Sequence, residues 1–128
     1  MQNNGSDHLA LALWAADCAE RTLPLFEAGH PDDKRPREAI SAARRWAKDK
    51  LSISAARQFA LAAHAAAREA SSDAARQAAR AAGHAAATAH MHKHAPHAAD
   101  YAIKAVTARG GDGAAEEQWQ DDKLPKLG

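Results

Sequence analysis

At 128 residues, with 46% apolar and 26% charged side chains, the chain has the length of one domain able to bury a core without disulfide or metal staples. Its net charge of +1 hides a basic middle of +8 over residues 34–93 between ends of −5 (1–33) and −2 (94–128), a layout that pairs with itself and argues against nucleic-acid binding. A single cysteine, Cys18, excludes an internal disulfide and points to a reducing cytoplasm, and HLALALWAAD, bracketed by Asp7 and Asp17, suits neither a signal peptide nor a membrane span.

Alanine dominates, glycine and proline are sparse inside the long segments, and β-branched residues are few, so the local preference is helical and no strand is predicted. The first helix should start with Ser6 or Asp7 as N-cap and run to near Ala28, with Leu9, Leu13, Ala16 and Leu23 on one stripe and Leu11, Trp14, Cys18 and Leu25 beside it. That broad apolar face implies a central helix, kinked near Arg21 or broken at Leu23 by Pro24. A turn at HPDDKR leads to a second helix from Pro36 to about Asp49, its stripe of Ala39, Ile40, Ala43, Trp46 and Ala47 facing inward. Ser54 can cap the third helix and the SSD at 71–73 the fourth. Pro96 then breaks the chain near Lys93 to Ala95. A fifth helix stops at Gly110 and Gly111, and a short sixth, AAEEQWQDDK, ends before Pro125.

The stretches AARQFALAAHAAA at 55–67 and AARQAARAAGHAAA at 74–87 align with one inserted residue. They read as two copies of one alanine-faced element forming a close helical hairpin, because small side chains let backbones approach. The expected fold is therefore all-α, a compact bundle of five to six helices with a tight, Ala-rich antiparallel pair. Residues 1–128 are read as a single helical domain with frayed ends at 1–6 and 124–128, and Trp14, Trp46, Phe59 and Tyr101 as lying in or near the core.

Three sets of residues suggest chemistry. His90, His92, His94 and His97 crowd the corner made by Pro96; His90, His94 and His97 have the helical spacing of convergent Zn, Ni or Cu ligands, although a His-rich corner also takes up Zn or Ni adventitiously, with no resident cofactor. Arg57, His64 and Arg68 on the third helix, and Arg76, Arg80, His84 and Thr88 on the fourth, form basic, imidazole-bearing stripes; they either line a site for an anion, with Arg57, His64, Arg76, Arg80 and His84 as its candidate residues, or are simply the solvated faces of amphipathic helices. Asp17, Glu20 and Arg21 interrupt the first helix, where Asp17 can pair with Arg21 at i, i+4, but no nucleophile elbow, H-E-x-x-H, glycine-rich phosphate loop or cysteine pair is present. The chain reads as a binding protein with no catalytic residues.

The stretches LALWAADCAERTLPLFE, HPDDKRPREAISAARRWA, AARAAGHAAATAH and EEQWQDDKLP, in this order and spacing, resemble the immunity-five-like group of small bacterial proteins linked to polymorphic toxin systems. The resemblance implies an all-helical cytoplasmic protein that neutralises a bacterial toxin, and it carries over no catalytic residues. Two other readings stay open: a protein that sequesters a small anionic ligand or antibiotic, and a metal-binding protein built on the histidine corner.

Overall fold

The computed structural model describes residues 4–127, so the outermost residues of the expected frayed ends, 1–3 and 128, lie outside the described residues. Six helices follow one another: α1 (Asn4–Glu27), α2 (Arg35–Ala47), α3 (Ile53–Arg68), α4 (Asp73–Ala87), α5 (His94–Ala108) and α6 (Gly113–Lys123). No strand occurs among the described residues, and the bundle is all-α and compact.

Side-chain oxygens set several of the starts. Ser52, Ser72 and Asp112 accept hydrogen bonds from the backbone N–H groups of Ala55, Ala75 and Ala115 and so cap α3, α4 and α6. The cap of α3 is thus Ser52 in place of Ser54, which lies inside the helix. Likewise α1 already runs through Ser6 and Asp7 instead of being capped there. At the other end of α5, Gly110 takes a φ of +86°, open to glycine at no steric cost, and the Gly111 N–H donates to the Val106 carbonyl at 2.9 Å to close the helix. Pro24 does not break α1, which continues to Glu27. That continuity carries Phe26, with no exposed surface at all, into a second apolar cluster among Ala66, Ala67, Ala75, Ala78, Ala79 and Ala105.

The helix surrounded by the others is α4, which packs against α1, α2, α3 and α5, and not α1 as the large apolar residues of α1 suggest. A helix of alanines presents methyl groups on every side, so no bulky face holds a neighbour away. Ala75, Ala78, Ala79, Ala81, Ala82, Gly83, Ala85 and Ala86 are all buried. The inner face of α1 follows the same logic: Ala12, Ala15, Ala16 and Ala19 are fully buried, while Leu9 and Leu13 are exposed, contrary to their expected place on the inner stripe. Trp14 is in the main core, Phe59, Tyr101 and Trp119 pack against it, and Trp46 is half-buried at 4.6 Å from the His8 ring.

The charge asymmetry resolves into ion pairs between segments. Arg44 of α2 reaches Asp17 and Glu20 of α1 at 2.8 and 2.9 Å, Arg37 binds Glu27 at 2.6 Å, and Arg35 binds Asp33 and Glu69 at 2.7 and 2.8 Å. Asp17 therefore pairs with Arg44, not with Arg21. Arg21 makes a bidentate contact with the buried Glu116 of α6 and lies over the Trp119 ring. Two further bonds hold α6, from the Trp14 indole N–H to the Gln120 carbonyl and from the Gln120 amide to the Ala99 carbonyl, at 3.0 and 2.9 Å.

Candidate functional site

The place where α3, α4 and α5 meet gathers four imidazoles. His64 of α3 meets the His84 ring of α4 edge-on at 4.9 Å, and it can do so because the next residue toward the α4 start is Gly83. A Cβ at Gly83 would fall 2.6–2.9 Å from three atoms of the His64 ring, so the ring lies directly on helix backbone. The ring of α3 seated on the α4 backbone shows these two helices, joined by the short turn at 69–72, in close approach.

His84 is the centre of the cluster. Its Nδ1 is 3.0 Å from the Nδ1 of His94, so one of the two rings donates and the other accepts. Its ring lies parallel to Tyr101 at 5.1 Å and within 5.4 Å of His97. Burial, and then the positive charge of His64, His94, His97 and Arg80, pushes the His84 imidazolium down to about 3; burial is also the first cause lowering His64 and His94. The central rings are therefore neutral near pH 7. Around them stand Arg68 of α3, close enough to His64 to act on its charge, Arg80 with its guanidinium 5.9 Å over Tyr101, and Lys104 with Nζ 4.5 Å over the same ring.

The candidate anion residues divide. His64, Arg80 and His84 come together, whereas Arg57 is exposed on α3 and Arg76 is engaged by Asp73 at 3.0 Å. The candidate metal residues divide as well, because the chain leaves the helix after Ala87, several residues before Pro96, and His94 already opens α5. His94 and His97 join His84, while His92 lies 5.9 Å from the His8 ring on another side and His90 is exposed in the connection. Among the described residues no group of three or more His, Cys, Asp or Glu side chains is arranged to hold a metal ion. Lys104 escaped the sequence reading, which takes Tyr101 only as a core aromatic, although Tyr101 stands four residues beyond His97 and seven beyond His94, the spacing of one helix face.

The clearest grooves lie elsewhere. One of about 320 Å³ between α1 and α2 is lined by Glu20, Arg37, Ser41, Arg44, Arg45 and Lys48, and one of about 420 Å³ includes Asp7, His8, Leu11, His92 and Leu127. Cys18 is fully buried, and burial followed by the Asp17 charge raises its thiol to about 12, which keeps it a protonated core residue. Among the described residues no helix is long and apolar enough to cross a membrane.

Over residues 2–127 the chain matches the family model described as "Imm-5 like putative immunity protein", and it belongs to that family. No curated protein and no solved structure matches it.

Proposed function

We propose that this member of the Imm-5 like immunity family neutralises a partner toxin by stoichiometric binding, in the cytoplasm, and performs no chemistry of its own. The observation that carries this reading is the family match over nearly the whole chain. Two features support it. The helices are closely packed, and α3, α4 and α6 are capped by side chains, a scaffold that presents its surface with little reorganisation on binding. Arg35, Arg37 and Arg44 of α2 are matched by carboxylates of the same chain, which breaks up the basic charge of α2 and suits a protein partner met by local charge patches better than a nucleic acid.

Co-expression with the product of the adjacent gene tests the proposal, with cell survival and a co-purifying one-to-one complex as joint readouts. Rescue together with a complex is the expected result. Survival without any complex transfers support to the sequestration of a small toxic molecule, and absence of both for every neighbouring product overturns the immunity reading.

A further inference from the structure

Elsewhere in the fold four of the five arginines of α1 and α2 are drawn toward carboxylates, Arg21 to Glu116, Arg35 to Asp33 and Glu69, Arg37 to Glu27, Arg44 to Asp17 and Glu20, while Arg45 lies over the Phe59 ring. The face shared by α3, α4 and α5 differs. Arg68, Arg80 and Lys104 have no carboxylate at ion-pair distance among the described residues, and they surround neutral imidazoles and an aromatic ring. Such a face offers charged N–H donors, proton-accepting nitrogens and an aromatic platform, and even Asp100, on the same helix between His97 and Lys104, makes no ion pair with its cations. The charge that complements it is a carboxylate brought from outside.

We propose that the face formed by Arg68, Arg80, His84, His97, Tyr101 and Lys104 docks an acidic, carboxylate-bearing segment of a protein partner. The identity of that partner as a toxin rests on the immunity reading; the chemistry of the face does not. The groups acting on His84 are His64 from α3, Arg80 from α4 itself, and His94 and His97 from α5; Arg68 acts on His64, and His90 of the connection acts on His94. All are cationic or become so on protonation, and α1 and α2, which also pack on α4, place no carboxylate among them. Burial first, and then the cationic neighbours, keep protons off the free cluster. A docked carboxylate offsets the second of these, so binding is coupled to proton uptake and tightens as the pH falls toward 6. An extended nucleic acid is a poorer fit, because the flanking arginines of α2 and of the start of α4 are engaged by carboxylates.

The test uses the full chain and two probes, a fluorescein-labelled hexaglutamate peptide and a labelled oligothymidylate, followed by anisotropy at low salt. The double variant Arg80→Gln/Lys104→Gln should weaken the peptide by about fivefold or more, while Lys50→Gln/Arg109→Gln, the same change in net charge at exposed positions away from the face, should weaken it by less than about twofold. The unmodified chain should bind the peptide about threefold tighter at pH 6 than at pH 7.5, and His94→Gln, which removes one of the imidazoles held below its ordinary value, should reduce that gain. Equal losses in the two double variants, no peptide binding, or oligothymidylate bound as tightly as the peptide would each overturn the proposal. The two readings separate cleanly: a toxin complex unaffected by Arg80→Gln/Lys104→Gln removes this face and keeps the immunity role, whereas peptide binding here without any toxin complex does the reverse.

Discussion

Replacing Gly83 by alanine should change the stability of this protein with a sign set by a single neighbour. Glycine inside a helix costs about 1 kcal/mol relative to alanine, so at an unobstructed position the substitution stabilises by that amount. At Gly83 the new methyl would meet Cε1, Nε2 and Nδ1 of His64 at 2.6, 2.7 and 2.9 Å, so the ring must leave the helix backbone. Overpacking of this kind costs about 1–3 kcal/mol, and the ring also loses its edge-on contact with His84. The net expectation is a destabilisation of about 0–2 kcal/mol for Gly83→Ala alone. In the His64→Ala background the obstruction is gone, and the same change should stabilise by about 1 kcal/mol. A double-mutant cycle in urea, followed by circular dichroism, isolates the coupling of about 1–3 kcal/mol between the two sites. If Gly83→Ala stabilises equally in both backgrounds, His64 does not rest on α4 and the account of the α3–α4 approach is wrong.

Three further outcomes follow from the same packing. Because His84 is held at about 3 when folded, the unfolded chain takes up the proton first; stability is complete above about pH 6.5, declines as the pH falls below it, and is lower by about 1 kcal/mol at pH 5 once solvent screening of a half-buried ring is allowed for. Melting temperature against pH should show this decline, and His84→Asn should flatten it; a profile level from pH 7.5 to 5 refutes the assignment. Ala82→Leu, at a position with no exposed surface, should cost about 1–3 kcal/mol, whereas Ala62→Leu, at a half-buried position, should cost less than about 1; unchanged melting temperatures for both would remove the close-packing argument. Cys18 should resist a disulfide reagent in the native state and react only as fast as the chain unfolds, so labelling within minutes under native conditions contradicts its burial.

The helices themselves were legible because alanine, serine caps and glycine stops act locally. Ser72 caps α4 and Gly110 and Gly111 close α5, as their neighbours dictate. Local rules gave less where two candidates compete: Ser52 and Ser54 flank Ile53, and only the geometry of the turn selects Ser52. The hub was misread because bulky residues attract attention to α1, while burial on many sides is easier for a helix that has none. Arg21 shows the limit most clearly, since its partner Glu116 is 95 positions away and nothing beside Arg21 announces it. The candidate site was half legible. His64 and His84 occupy matching positions in the repeat and do meet, but the bend after Ala87 sends His92 to His8 and brings His97 to His84, a division that depends on where the chain turns.

An interior made so largely of methyl groups has a thermodynamic consequence. Alanine surrenders no rotamer freedom on burial, where a leucine or isoleucine gives up about 0.5–1 kcal/mol, so the entropic cost of folding here falls mainly on the backbone. Each buried alanine also uncovers little hydrocarbon when the chain opens. The heat-capacity increment of unfolding should accordingly lie below the usual value of about 12–15 cal/mol/K per residue. A small increment makes a broad, shallow dome of stability against temperature, so the protein should keep nearly constant stability through the range in which a cell grows and resist denaturation by cold.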